Sequence, residues 1–492
     1  MAVDTSARPA PPVAGDAGDG GRGGRLRRLL LPLVLVGVAG ALRFWMLDHP
    51  PRIYFDEVYY AKQANEYLTR GVEEGFAVHP PLGKWLIAAG IAATRFDSFG
   101  WRLSSAVAGT LTVLVTYLLG LRLFRRRAVA ALAAFLLAVD GLAFTMSRIS
   151  MLDVFLGLFV AVGVWLLLLD RDALWAGAEL TEADPQRPLP RRSRRWRWLA
   201  GLALGLALAV KWSAVPVIAG AALFVLASEL LWRRRVAGSA RTAWPRVVAS
   251  ILATLVVLPL VVYVASYAGW FANFSQSRLG MERCPQGPCE VSEQEVVGTW
   301  WREQGEIARF HRELEAEHPY RSDPLSWLVL GRPVAYYYES CDDEKSAKGK
   351  CAVERGNVEE ILGIGNPAIW WLALGAYPLV GWYAVRRRDW RAATVLGFLL
   401  VQYLPFLVAR LLPFGHLNRP NFLFYLLPGV PFLCLTLAYA AWRLAERRSL
   451  RWVPAAVAAL SVAVFVFFYP VYVGMELSDS VWRLRMWFPS WI

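Results

Sequence analysis

The sequence predicts an all-α polytopic membrane protein with about eleven transmembrane helices, counted at about 20 apolar residues per span. Three observations predict it. Hydrophobic residues make up 56% of the 492-residue chain and charged residues only 19%, a balance that suits neither a water-soluble domain nor a disordered chain. Apolar runs long enough to cross a hydrocarbon core recur from end to end. The 23 Trp, 18 Tyr and 24 Phe suit two bilayer interfaces, because amphipathic rings settle at headgroup depth.

Residues 1–24 are mostly Gly, Ala, Pro and Asp and read as a disordered cytoplasmic tail. The run 29–47 follows the basic cluster Arg25-Leu26-Arg27-Arg28, has no small-residue cleavage site and reads as a retained signal anchor. Further spans are expected near 101–123, 128–146, 150–169, 197–212, 214–232, 247–267, 367–385, 391–410, 422–442 and 452–472. Clusters at Arg125 to Arg127, Arg191 to Arg197, Arg233 to Arg235, Arg386 to Arg388 and Arg443 to Arg451 then share one side with the N-terminus, which the positive-inside rule makes cytoplasmic. The C-terminus is expected outside. Lys211 and Pro216 interrupt a single apolar run near 197–232, and dividing it there preserves the alternation. These clusters account for the net charge of +14. No basic segment carries interleaved aromatics or a zinc-finger or RNA-recognition motif, so nucleic acid is not an expected partner.

Four units follow: the tail 1–24, an N-terminal transmembrane module 25–267 with its first outer loop at 48–100, a large outer segment 268–366, and C-terminal helices with a short outer tail at 367–492. The outer segment holds an amphipathic helical stretch from Glu306 to His318 and four of the five cysteines. An oxidising compartment would pair these four. Local bridges, Cys284 with Cys289 and Cys341 with Cys351, are favoured among the three connectivities, and the spacings do not match a zinc ribbon. Cys434 reads as an inert core thiol.

The ionisable residues at the outer face carry the chemistry. Pro50 and Pro51 precede Asp56-Glu57 and a helix-forming run, which places both acids at a helix N-terminus with Gly71 as the stop. A helix N-terminus favours an ionised carboxylate, although such an acid can also be a plain cap. His79-Pro80-Pro81-Leu82-Gly83-Lys84 starts an interfacial helix with Lys84 in its first turn; there His79 and Lys84 act on a ligand, or simply hydrogen-bond and snorkel at the interface. Asp140, Ser147-Arg148 and Met151-Leu152-Asp153 stand at the outer ends of two spans, where ionisable groups face a cavity, a partner or an ion. Arg148 there either pairs with Asp153 to pin two helices or forks onto an anionic headgroup. Arg419, beside Phe422-Leu423-Phe424-Tyr425, adds a further outer cation. Walker, dinucleotide-binding, nucleophile-elbow and His-Glu-x-x-His motifs are all missing. Outward carboxylates and cations on an apolar body equip the chain to handle a lipid phosphate.

In order along the chain, Phe55-Asp56-Glu57-Val58-Tyr59-Tyr60-Ala61-Lys62, His79-Pro80-Pro81-Leu82-Gly83-Lys84, Ser147-Arg148 with Met151-Leu152-Asp153, and Arg419 with Phe422-Leu423-Phe424-Tyr425 resemble successive motifs of the bacterial protein O-mannosyltransferases of glycosyltransferase family 39. The resemblance covers about 29–472. It implies a GT-C membrane fold, polyprenyl-phosphate-mannose as donor, Ser or Thr hydroxyls of exported proteins as acceptors, the Sec translocon as a candidate partner, and an active site on the extracytoplasmic face of the cell membrane. Carried onto these positions, it implies Asp56 as general base, with Glu57 and His79 positioning sugar or acceptor. Arg148, oriented by acids such as Asp153, would neutralise the phosphate with Lys84 and Arg419. The leaving phosphate is already a stable anion, so one carboxylate suffices and single displacement inverts the anomeric centre. No resident metal or other cofactor is expected. The outer segment is too short for the β-trefoil domain of the eukaryotic members, so acceptor recognition through that domain does not carry over. Two alternatives stay open: a GT-C enzyme moving another lipid-linked sugar, such as aminoarabinose, and a lipid-linked sugar flippase or transporter. The latter is disfavoured by the lack of an inverted repeat.

Overall fold

The computed structural model describes residues 22–183, 194–236, 244–287, 289–342, 351–411 and 420–492. Expectations on the tail before residue 22, on Arg191 and Arg192 and on Arg419 lie outside the described residues. The first helix, α1, spans Arg22–Phe44 and so begins within the expected tail, taking the basic cluster into its first turns. The first outer loop folds as α2, Glu57–Arg70, and α3, Leu82–Ala93. Gly71 ends α2 as read from sequence. It sits at φ +75 and donates to Tyr67 O, and a Cβ there would lie 2.3 Å from the Asn273 side chain, so both conformation and space require glycine.

Next come α4, Ser98–Phe124, α5, Arg127–Ala138, and α6, Gly141–Met146. The span expected at 128–146 is therefore broken. Asp140 causes the break: its carboxylate accepts from Ala143 N at 2.9 Å, Asn366 N at 3.1 Å and Trp370 Nε1 at 2.8 Å, capping α6 instead of continuing α5. The helix α7 is Asp153–Ala183, and α8 is Arg195–Val210. Lys211 does split the long apolar run. Its backbone is extended, φ −159 and ψ 136, and a short turn leads into α9, Val215–Val236. The following span joins α10, Trp244–Leu252, to α11, Leu258–Ser266, through a π turn at Ala253–Val257. Pro259, which lacks an N–H, follows that turn at the start of α11.

Eight helices among the described residues are long and apolar enough to cross a membrane: Ser98–Phe124, Asp153–Ala176, Trp212–Arg234, Trp244–Ser266, Pro367–Arg386, Trp390–Leu411, Leu423–Ala445 and Arg448–Val473. The other three expected spans are helical but shorter or interrupted, in α1, α5 and α8. Leu423–Ala445 is central: 94% of its apolar window is buried, against 28% for Trp212–Arg234, which marks the latter as an outer, lipid-facing helix.

The outer segment departs from a purely helical reading. Its amphipathic helix runs Glu293–Glu313, and the expected 306–318 catches only the second half. Ser292 starts it by accepting from Glu295 N, and Trp300, Glu303, Gln304 and Ile307 form its buried stripe, the 3.6-residue spacing of one helical face. Strand β1, Val334–Ser340, pairs antiparallel with β2, Asn357–Gly363, and β2 pairs antiparallel with β3, Leu477–Ser478. The β1–β2 register slips between Ala335 and Tyr337, leaving Tyr336 in a bulge. Disulfides join Cys284 to Cys289 and Cys341 to Cys351, the favoured local pairing, and Cys434 is buried and free.

Candidate active site

The outer loop between α1 and α2 is fixed by an ion pair at the foot of α2. Glu57 and Arg102, from α2 and α4, are both fully shielded from solvent. Arg102 donates to Glu57 through Nε at 2.8 Å and Nη2 at 3.0 Å, a planar fork that matches a carboxylate. Its remaining N–H groups reach the carbonyls of Leu47, His49, Pro50 and Arg52. Glu57 also accepts from Ser150 N at 3.0 Å. One guanidinium and one carboxylate thus bind the loop to α4 and to the turn before α7.

Asp56 is the residue just before this anchor. Its side chain makes no capping hydrogen bond, so the plain-cap reading fails. Phe55 precedes it at φ +49, a left-handed conformation that is costly for an aromatic residue and persists only where the surroundings enforce it. Those surroundings are rings: Phe55 meets Tyr336, Phe424 and His318 edge-on, at centroid distances of 4.9, 6.1 and 6.2 Å. The bulged Tyr336 of β1 is itself tied down by Tyr336 Oη to Met146 Sδ, 2.7 Å. Burial pushes the Asp56 carboxyl up to about 6; Lys211 pulls it down and Asp153 adds to the rise.

Asp153 opens α7 and Lys211 follows α8. Lys211 Nζ stands 3.0 Å from both carboxylate oxygens of Asp153 and 5.0 Å from the centre of the Tyr425 ring. Both groups are buried, yet both line a cavity of about 490 Å³. Trp212, Phe406 and Tyr425 supply its apolar wall, while His79, His311 and Arg312 reach it from the outer segments. The rings of His79 and His311 stack at 5.3 Å, and His311 Nε2 lies 2.9 Å from Val78 O. A raised carboxyl within electrostatic reach of a cation that lines a mostly apolar chamber can take a proton and hold an anion with a greasy tail.

The other residues read from sequence sit elsewhere. Lys84 is buried in a short ion pair with Glu73. Arg148 donates to the carbonyls of Leu42, Arg43, Trp45 and Met46, so it closes the C-terminal end of α1. It does not pair with Asp153, whose partner is Lys211. Sequence reasoning missed Lys211 and Arg102. The sign of Lys211 was available: a lone cation inside an apolar run is costly unless a partner or ligand requires it.

Residues 33–101 and 93–273 match the family model for dolichyl-phosphate-mannose-protein mannosyltransferases, and residues 296–491 match that for the C-terminal four-transmembrane region of protein-O-mannosyltransferase. The chain belongs to this family. Among its relatives, the polyprenol-phosphate-mannose–protein mannosyltransferase of Mycobacterium tuberculosis is 33% identical over 89% of this chain and 86% of its own. That of Corynebacterium glutamicum is 31% identical over 89% and 88%. Of solved structures, the Saccharomyces cerevisiae protein O-mannosyltransferase Pmt1-Pmt2 complex bound to the sugar donor superposes with TM-score 0.74 at 15% identity, covering 95% of this chain and 93% of that one. ArnT from Cupriavidus metallidurans in the apo state gives 0.55 at 17% identity, covering 91% and 77%. The protein O-mannosyltransferase fold is thus GT-C, as the motif order implied.

Proposed function

We propose that this protein transfers mannose from polyprenol-phosphate-mannose to Ser or Thr hydroxyls of exported proteins, with Asp56 as general base. The observation that carries the reading is the uncapped carboxyl of Asp56 within electrostatic reach of the Lys211–Asp153 pair, beside a cavity, in a member of this family. The acceptor oxygen attacks the anomeric carbon and Asp56 takes the hydroxyl proton. The bond from carbon to phosphate oxygen breaks, inverting the centre, and polyprenyl phosphate leaves as an anion. Lys211 stabilises the charge that grows on that oxygen. Lys211 and Arg312 line the cavity and Lys84 and Arg148 do not, so the phosphate role read for those two falls to Lys211, with Arg312. Glu57 positions Asp56 through its bond to Arg102. The reaction uses no metal, and EDTA should leave turnover unchanged.

The site is proposed to face the extracytoplasmic side. Support comes from the two disulfides of the outer segment, which persist in oxidising compartments, and from the contact of His311 with Val78, which brings that segment to the loop carrying Asp56. The test is incubation of membranes holding the intact chain or Asp56→Asn with labelled polyprenol-phosphate-mannose and a Ser/Thr peptide. Transfer by the intact chain alone is expected; transfer by neither, or by both equally, overturns the reading.

A further inference from the structure

The helix Glu293–Glu313 is one wall of the cavity, through Ala308, His311 and Arg312, and the buried stripe that precedes them along the helix is poorly satisfied. Trp300 Nε1, Glu303 Oε2 and Gln304 Nε2 are all buried with no hydrogen-bond partner among the described residues. Glu303 is 3% exposed. Buried polar atoms normally find partners, so three on adjacent turns of one face make the seating of this helix conditional.

The surroundings of Glu303 say on what it is conditional. From the loop after α2 it faces Glu73 and from α3 it faces Lys84, and those two already form an ion pair in which Glu73 is 3% and Lys84 1% exposed. Arg278 comes from the short helix Arg278–Arg283, which Ser277 caps, and Glu306 lies on its own helix. Both are more exposed than Glu303 and engage each other. Tyr67 of α2 donates to Glu73 at 3.1 Å, Glu66 of α2 stands near Glu73 and Lys84, and Tyr263 and Tyr267 meet Gln304. Two buried carboxyls therefore share one buried ammonium. An ammonium already paired cannot offset a second buried charge, so the pocket is neutral only when one proton stays with the acids.

We propose that the Glu293–Glu313 helix is a proton-held clamp on the cavity, seated while Glu303 carries a proton and loosened when Glu303 ionises. Burial, followed by Glu73, moves the Glu303 carboxyl from its ordinary 4.5 up to about 7. A raised acid favours the seated form when protonated: the contribution is whole below 4.5, falls as pH rises, and is lost above about 7. The clamp thus closes the chamber in acid and opens it in mild alkali, whatever group the enzyme transfers.

Hydrogen–deuterium exchange of the full-length chain in lipid nanodiscs, corrected for the intrinsic pH dependence of exchange, tests this without any assay of transfer. Amides of 293–313 should lose about tenfold in protection between pH 6 and pH 8. In Glu303→Gln that dependence should vanish. Glu73→Gln is the second variant: it frees Lys84 to pair with an ionised Glu303, so protection should again be independent of pH. A flat response in the unaltered chain, or an unchanged tenfold loss in both variants, would overturn the clamp.

Discussion

Arg102 Nε lies 2.8 Å from Glu57 Oε1 and Arg102 Nη2 lies 3.0 Å from Glu57 Oε2, with both side chains at 0% exposure. Removing one partner leaves the other charge buried and unpaired. Arg102→Ala should therefore lower stability by about 3–5 kcal/mol, read as a fall in thermal midpoint in detergent. Glu57→Gln, which keeps a carbonyl acceptor, should lose less. A midpoint unchanged in Arg102→Ala would show that the loop does not depend on this pair.

Asp56 should govern the acid limb of the rate profile. Its carboxyl is raised to about 6 and acts as a base only when ionised, so kcat/KM should drop about tenfold per pH unit below that value. Asp56→Asn should cost about 10²–10⁴ in kcat while leaving the thermal midpoint in place, and its residual rate should show no acid limb. An acid limb that survives the substitution assigns the titration to another group.

Lys211 and Asp153 separate charge stabilisation from packing. Lys211→Ala should reduce kcat/KM by about 10²–10³, and it should also destabilise the chain because Asp153 is left buried without its partner. Pairing it with Asp153→Asn should restore stability but not rate. If the double variant regains activity, the pair is structural and the phosphate is held elsewhere.

Arg148 should behave as a tie between helices. Its donors satisfy carbonyls of Leu42, Arg43, Trp45 and Met46, so Arg148→Ala should cost about 1–3 kcal/mol in stability, with KM for the lipid donor unchanged in the fraction that stays folded. A raised donor KM at constant thermal midpoint would return Arg148 to the phosphate.

What was legible in the sequence was what local rules decide. Paired prolines, an acidic pair and Gly71 bounded α2 because proline conformation and left-handed stops act within a few residues. The short-range disulfides were legible for the same reason. Partners across the fold were not. Lys211 reaches Asp153 over 58 positions, and nothing near either residue encodes that meeting. Arg148 was read as a headgroup fork because a guanidinium serves carboxylates, phosphates and helix-end carbonyls alike, and only the packing of α1 chooses between them. The strands were overlooked although Tyr336, Tyr337 and Tyr338 in β1 have the aromatic composition of a half-buried pleat.

The small outer sheet has a temporal consequence. β3 follows the last apolar helix, and its neighbour Trp482 donates to the buried Glu360 of β2 at 2.6 Å. A nascent chain that has not yet reached residue 477 leaves Glu360 without that donor and the sheet without its third strand. Completion of the sheet that meets Phe55 through Tyr336 therefore waits on synthesis of the final segment.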